Sequence, residues 1–305
     1  MTTRLQIPGL TPYVYGTTRL GDASIPFAAR VAIAREAMNT GVWFHTSTQY
    51  GDALQVLRAA FDEDRANVPH IFYKIQADSL DGFKKAVHEH IDVLGLDHMD
   101  VGQLCLGGEY AENFARTGKG LEDFRALKDE GLVRNFVLEV FPWTSANPLA
   151  ALKAGYTDEL ISAFIFYLNP LQRFVSNILW DTILEKKAPI VAMRTVSGGN
   201  VHRLRDVPGA AWKDYLRARA VEVAPIFERS GIASWTEFCV RFAHSLPNVL
   251  ATVGSSSRSA GLKEFTDAIK GGAIKPLPQD IVDDILALQR RWSDETDVHA
   301  EPWSM

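Results

Sequence analysis

Residues that can transfer protons stand at the ends of two apolar runs in the first quarter of the chain. The run Val42-Trp43-Phe44 is followed by His45, four small or polar residues and then Tyr50. A second run begins at His70 and ends in Lys74. Short apolar runs of this kind predict buried strands. Because histidine, tyrosine and lysine act as general acids and bases, the ends of these strands are candidates for a catalytic site. Taken singly, a tyrosine on the barrel rim, a solvated lysine and a hydrogen-bonded structural histidine are the alternatives, and they stay open.

A hydroxyl-rich segment near the C-terminal end has the composition of an anion site. An apolar run ends in Gly254-Ser255-Ser256-Ser257-Arg258, and a helical pattern follows. Hydroxyl groups, an arginine and the N-terminus of a helix all bind phosphate groups. The serines would serve equally well as an ordinary turn and helix cap, so both interpretations stay open.

Arg194 is a further candidate anion ligand, because it ends the apolar run Pro189 to Met193. The alternative is an ion pair with Glu139, which lies near the end of another apolar run, Val133 to Phe141.

The chain that carries these residues alternates apolar strands with amphipathic helices about eight times. The pattern predicts a (β/α)8 TIM barrel, an α/β fold in which helices cover a closed parallel sheet and active sites lie at the C-terminal ends of the strands. Residues 1–305 are predicted to form a single domain with a polar tail from about residue 294. The ten predicted helices span 27–39, 52–61, 80–94, 119–130, 147–154, 172–186, 212–230, 235–245, 262–270 and 279–292, and the segments 106–118 and 200–213 are predicted loops.

Composition excludes several classes of protein. Hydrophobic residues make up 47% of the chain and charged residues 23%, with a net charge of −5, which is typical of a soluble globular protein. No basic patch suggests a nucleic-acid partner, and no apolar run is long enough to span a membrane. Cys105 and Cys239 are too few and too far apart for a disulfide framework, and the first residues lack the apolar core of a signal peptide. We therefore expect a cytoplasmic protein; Cys239, in an apolar helix, is predicted to be core.

The stretch from Gly41 to Gly51 resembles the segment in which aldo-keto reductases carry their catalytic tyrosine. Other stretches resemble the family in the same order along the chain: Leu94 to Val101, Phe124 to Arg134, Leu168 to Arg173, and Arg241 to Val249. The resemblance implies NADPH-dependent hydride transfer to the carbonyl carbon of a small-molecule substrate. It also implies four catalytic groups: a tyrosine that donates a proton, a lysine that makes the phenol more acidic, an aspartate that pairs with the lysine, and a histidine that orients the carbonyl.

Two of these four groups are present by this resemblance. Tyr50 and Lys74 match the family, whereas His45 stands at the aspartate position and Cys105 at the histidine position. With no carboxylate expected beside Lys74, we predict a weaker acid–base pair than in a typical reductase. We interpret Cys105 as a buried small residue in preference to a hydrogen-bond donor.

The resemblance also places a cofactor site, NADP(H), on altered residues. Family members hold the nicotinamide carboxamide with serine, asparagine and glutamine, and the corresponding residues here are Glu139, Val140 and Ile165. The apolar pair cannot form side-chain hydrogen bonds with the carboxamide. Glu139, Arg194 and the segment Gly254 to Arg258 are the candidate cofactor-binding residues.

Three functions are therefore compatible with the sequence. The favoured one is an NADP(H)-dependent oxidoreductase with an altered catalytic set. The second is a reductase-fold protein that binds a ligand or partner without hydride transfer. The third is non-redox acid–base or metal chemistry at His45, Cys105 and Glu139, although their spacing is not a zinc pattern and we predict no metal site.

Overall fold

A closed barrel of parallel strands forms the centre of the molecule. The computed structural model describes residues 6–141, 145–197, 199–270 and 274–294. Its strands are β1 (Tyr13–Gly16), β2 (Trp43–Thr46), β3 (Ile71–Ile75), β4 (Met99–Leu104), β5 (Val133–Glu139), β6 (Ile161–Asn169), β7 (Gln172–Arg173), β8 (Ile190–Met193) and β9 (Val249–Ser255). Eight of them pair in parallel, from β1 through β6, β8 and β9 back to β1. The predicted (β/α)8 TIM barrel is confirmed.

Helices surround the barrel and cover the outer faces of its strands. They are α1 (Phe27–Met38), α2 (Ala53–Glu63), α3 (Leu80–Leu94), α4 (Gly108–Thr117), α5 (Leu121–Asp129), α6 (Ala146–Ala154), α7 (Asn177–Glu185), α8 (Val201–Asp206), α9 (Asp214–Arg229), α10 (Trp235–Ser245), α11 (Ser259–Ala268) and α12 (Gln279–Trp292). Three have the predicted bounds: α3, α10 and α12. Within the described residues, no helix is both long and apolar enough to cross a membrane. Nearly all of the predicted polar tail lies outside the described residues.

The predicted helix over 172–186 begins later than expected. Gln172 and Arg173 form the short strand β7, which pairs antiparallel with the end of β6. Helix α7 starts after Ser176, whose hydroxyl accepts a hydrogen bond from the Leu179 N–H at 3.3 Å. This side-chain cap satisfies a donor that the first turn of the helix leaves without a partner, so it defines where the helix begins.

Two segments predicted as loops contain helices. In α4, Tyr110, Ala111, Phe114 and Ala115 are buried, so its apolar residues follow the helical period. In α8, the side chain of Asn200 caps the first turn by accepting a hydrogen bond from the His202 N–H at 2.9 Å. Both helices are short, which is why their periodicity is weak in the sequence alone.

The interior of the barrel follows the alternation of each strand. Side chains along a strand point in turn to its two faces, so every second residue enters the barrel. A buried apolar cluster fills the interior and includes Trp43, Phe72, Val101, Val137 and Ile165. Two residues further along these five strands stand His45, Lys74, Gln103, Glu139 and Tyr167. The C-terminal end of the barrel is therefore a layer of polar side chains above an apolar floor.

Candidate active site

A buried ion pair lies at the C-terminal end of the barrel. The Nζ atom of Lys74 lies 3.1 Å from Oε1 of Glu139, and both side chains are almost fully buried. Strand β4 lies between the strands that carry the two residues. The expectation that Lys74 lacks a carboxylate partner is therefore wrong. The carboxylate comes from β5, and it meets Lys74 inside the barrel, over the intervening strand β4.

Gln103 links this ion pair to His45. Its Nε2 atom lies 2.7 Å from Oε2 of Glu139, and its Oε1 atom lies 2.6 Å from Nε2 of His45. A carboxylate only accepts hydrogen bonds, so Gln103 must present its amide N–H groups to Glu139 and its oxygen to His45. His45 must then carry its proton on Nε2. The amide of Gln103 thus determines the tautomer of the histidine.

Cys105 is the third donor to the same carboxylate. Its Sγ atom lies 2.6 Å from Oε2 of Glu139. Burial and the neighbouring Glu139 carboxylate raise the pKa of this thiol well above its usual value, although the charge of Lys74 opposes the shift. The thiol therefore keeps its proton and donates it. The interpretation of Cys105 as only a buried small residue is wrong, whereas Cys239 is fully buried in the core as predicted.

The charges in the network have opposite effects on its two bases. Burial and the positive charge of Lys74 lower the pKa of His45 to about 4, against the hydrogen bond that His45 donates to the Gln103 oxygen, so His45 is neutral near pH 7. Burial alone would lower the pKa of Lys74, but the Glu139 carboxylate, with help from Tyr50, raises it. A charged lysine and a neutral histidine are therefore the stable forms.

Tyr50 lies at the edge of this layer, on the loop between β2 and α2. The loop is held by its own backbone, since Tyr50 N–H donates to the Ser47 carbonyl at 3.2 Å. His90 of α3 supports it from outside, because Nε2 of His90 accepts a hydrogen bond from the Thr48 N–H at 3.3 Å. Gly21 permits the close approach of the neighbouring loop, since a Cβ atom there would lie 1.9 Å from the Tyr50 carbonyl oxygen.

The Tyr50 phenol is buried beside charged neighbours. Its ring centroid lies 6.1 Å from that of His45. Burial raises the pKa of Tyr50 to about 12, the positive charge of Lys74 opposes this shift, and Glu139 adds to it. The phenol is therefore protonated and can donate, and Lys74 is the nearby cation that favours its deprotonation.

Arg194 directly follows β8, and its guanidinium packs against two aromatic rings. Its guanidinium carbon lies 4.6 Å from the ring centroid of Tyr167 and 5.0 Å from that of Trp212. The alternative of an ion pair between Arg194 and Glu139 is wrong, because the Glu139 carboxylate binds Lys74, Gln103 and Cys105.

An open polar groove of about 760 Å³ runs beside the C-terminal end of β9. Ser255, Ser256, Ser257 and Arg258 line it, while Gly254 and Arg194 are not among its described lining residues. Gly254 instead packs against the Phe265 ring, which leaves no room for a Cβ atom. Three arginines face one glutamate in the lining: Arg19, Arg203 and Arg258 against Glu264.

Two of the three serine hydroxyls also stabilise the local backbone. Ser256 Oγ accepts a hydrogen bond from the Arg258 N–H at 3.1 Å, and Ser255 Oγ accepts one from the Arg19 N–H at 3.2 Å. The turn interpretation therefore applies to these serines, although both still line the groove. Trp235 also lines the groove. Its buried indole Nε1 has no hydrogen-bond partner among the described residues.

The residues at the expected carboxamide positions are apolar and buried. Val140 and Ile165 are at most 1% exposed, and the Val140 N–H donates to the Ile165 carbonyl at 2.9 Å. They contribute no side-chain hydrogen bond to a ligand. A separate cavity of about 220 Å³, lined by Lys74, Cys105 and His90 among others, lies beside the ion pair.

Sequence reasoning did not identify Gln103 and Tyr167 as site residues. Both stand at inward positions, two residues beyond Val101 and Ile165 of the apolar floor. Strand alternation, counted forward from those apolar residues, is a signal that could have found them. The described residues contain no group of three histidine, cysteine or acidic side chains placed to hold a metal ion, and Gln103 stands between His45 and Glu139.

Comparisons with known proteins agree with this architecture. An aldo-keto reductase from Klebsiella pneumoniae, solved with NADP and acetate, has a TM-score of 0.69 at 16% identity, with 92% of each chain covered. An aldo-keto reductase from Bacillus halodurans, solved in its holo form, has a TM-score of 0.69 at 18% identity, with 95% of this chain and 100% of that chain covered. A search of curated proteins finds no match. The family model for the aldo/keto reductase family matches residues 12–289, and the chain belongs to that family.

Proposed function

We propose that the protein is an NADP(H)-dependent oxidoreductase that reduces a carbonyl group, with Tyr50 as proton donor. The observation that carries the proposal is the buried pair of Lys74 and Glu139, 3.1 Å apart, in the layer that Tyr50 adjoins. A lysine held in its charged form stabilises the phenolate that a tyrosine leaves after it donates a proton. Glu139 supplies the counter-charge that keeps Lys74 protonated in this dry environment.

The groove beside β9 fits the phosphate-bearing part of the cofactor. It offers three arginines, several hydroxyls and the N-terminus of α11 to an anion. Arg258 is exposed at that terminus, where a 2′-phosphate would find an unhindered guanidinium. NADPH, when bound, supplies the hydride. The Klebsiella pneumoniae relatives were solved with NADP and with NADPH, which supports the same cofactor here.

The chain's own residues then have distinct tasks. Tyr50 holds the proton that passes to the carbonyl oxygen. Lys74 lowers the cost of losing that proton, because its charge favours phenolate. Glu139, Gln103 and Cys105 fix the position of Lys74 through one shared carboxylate. His45 is neutral, so it adds no second positive charge beside the lysine.

A second function is favoured by the apolar residues Val140 and Ile165. If the nicotinamide finds no donors there, the protein binds the nucleotide without transferring hydride. The two functions share the groove and differ only in turnover. With the first function we also propose a cytoplasmic location and a small-molecule carbonyl substrate.

The test is a titration of the purified protein with NADPH, followed by tryptophan fluorescence, with NADH as the control. Trp235 lines the groove, so a Trp235→Phe variant identifies the quenching that comes from this site. Saturable binding at micromolar concentrations, followed by NADPH consumption with a panel of aldehydes, supports the oxidoreductase. Binding without consumption supports the second function, and no binding of either nucleotide contradicts both.

A further inference from the structure

We infer that Arg194 forms a subsite for the carboxylate of a carbonyl substrate, between the faces of Tyr167 and Trp212. The inference rests on the proposed function, since it specifies the substrate class of the same site. The inference goes beyond the proposed function, because neither the cofactor groove nor the proton donor indicates which carbonyl compound binds.

The first observation is the backbone of Arg194. Its φ angle is +50°, in the left-handed region that residues with a side chain rarely adopt. Such a conformation is unfavourable for a residue with a side chain and persists only where the surroundings impose it. The Asn169 side chain holds it, since Nδ2 donates to the Arg194 carbonyl at 2.8 Å.

The second observation is the direction that this conformation gives the side chain. Met193, the preceding residue, belongs to the interior cluster, so simple alternation would turn Arg194 outward, toward the helices. Instead its guanidinium lies over Tyr167, which is itself an interior residue. The strained residue thus brings a positive charge back over the mouth of the barrel.

The third observation is the proximity of Arg194 to the catalytic layer. Met193 Sδ lies 3.8 Å from Nε2 of Gln103, which binds Glu139. Arg194 is therefore one residue, about 3.3 Å of strand rise, beyond a residue in contact with the network. The Tyr167 phenol lies close enough to feel the charges of both Arg194 and Lys74. Burial raises the pKa of this phenol, while those two positive charges oppose the shift.

The fourth observation is the charge balance at Arg194. The side chain is half-buried, and among the described residues no carboxylate lies within 4 Å of it. Aromatic rings cover the guanidinium, and Trp212 remains 40% exposed at the surface. A planar guanidinium has five N–H donors, and those not directed at the Tyr167 phenol remain for a carboxylate, which accepts two parallel hydrogen bonds.

Isothermal titration calorimetry tests the subsite without requiring turnover. The protein is saturated with NADP+, which cannot reduce an aldehyde, and is titrated with two acid–amide pairs. One pair is 4-carboxybenzaldehyde and 4-carbamoylbenzaldehyde, and the other is phenylglyoxylate and phenylglyoxylamide. We expect at least one acid to bind tenfold or more tightly than its amide, and Arg194→Met to abolish that preference.

The controls separate this inference from the proposed function. Arg203→Met alters an arginine of the groove and is expected to weaken NADP+ binding while leaving the acid preference in place. If Arg194→Met does not fold, Arg194→Lys retains the charge without the planar edge and should lower the preference several-fold. Equal affinity for acid and amide in both pairs would overturn the subsite. So would a preference that survives loss of Arg194, or an Arg194→Met variant that weakens only NADP+ binding. Failure of the proposed function would appear elsewhere, as absent NADPH consumption.

Discussion

The barrel interior and the groove beside β9 hold their polar groups in opposite ways. In the interior, the Glu139 carboxylate accepts hydrogen bonds from Lys74, Gln103 and Cys105, and Gln103 uses both ends of its amide. In the groove, Arg258 is exposed, and the lining forms an open surface of about 760 Å³. A buried polar group without a partner costs free energy, whereas an exposed one is satisfied by water.

This difference determines how each region tolerates a changed residue. A histidine at the position of the expected aspartate would leave a buried lysine without a counter-charge, unless another carboxylate replaced it. Glu139 pairs with the buried Lys74, and Gln103 connects Glu139 to His45. The groove needs no such compensation, because its arginines Arg19, Arg203 and Arg258 are exposed to water.

The largest expected effect is that of Tyr50→Phe on turnover. Loss of a general acid typically costs 10²–10⁴-fold in rate, while the change removes a single oxygen atom. We expect NADPH consumption with the best aldehyde to fall by about that factor, and NADPH affinity by fluorescence titration to stay unchanged. Equal turnover in the variant and the original protein would remove Tyr50 from the mechanism.

Glu139→Gln should have the largest effect on stability. Breaking a buried ion pair by removing one partner typically costs about 3–5 kcal/mol, because an unpaired charge stays buried. We expect a decrease of that order in the free energy of unfolding measured with urea. Glu130→Gln is the matched control, since its ion pair with Lys84 is exposed and should contribute about 0–1 kcal/mol. Similar decreases in the free energy of unfolding in the two variants would mean that burial does not increase the contribution of the Lys74–Glu139 pair.

The pH dependence of stability should reveal His45. Its pKa is about 4 in the folded protein and about 6.5 when unfolded, so the unfolded chain binds the proton more readily. Its contribution is complete above pH 6.5 and is lost as the pH falls toward 4, which amounts to roughly 3 kcal/mol. We expect His45→Gln to flatten this part of the stability curve, and His88→Gln, at an exposed site, to leave it unchanged. Parallel curves for His45→Gln and the original protein would contradict the buried neutral histidine.

The smallest expected effect belongs to the groove. Arg258→Met removes one exposed charge, and we expect about a tenfold weaker NADPH affinity, with little change in NADH affinity or in the turnover of the saturated enzyme. The measurement is the fluorescence titration repeated at two salt concentrations, since an exposed phosphate contact weakens with added salt. A variant that loses turnover but retains NADPH affinity would place Arg258 in the chemistry instead of the cofactor site.

Several features of the protein could be predicted from the sequence because they depend on local patterns. The alternation of apolar strands and amphipathic helices was sufficient to predict the barrel. The polar residues at strand ends, together with the family resemblance, made Tyr50, Lys74 and the segment Ser255 to Arg258 candidates for a site. Short helices such as α4 and the hairpin at β7 were not predicted, since a few residues carry too weak a period.

The pairings within the site depend on the tertiary structure. Sequence showed which residue types stand at the strand ends, and comparison position by position suggested that Lys74 has no carboxylate. Only the closed barrel, which brings β3 and β5 to face each other across β4, shows that Glu139 fills that role. The direction of the Arg194 side chain likewise depends on its positive φ angle, which strand alternation does not predict. Local patterns determine which side chains enter the barrel, and the register and curvature of the sheet determine which of them meet.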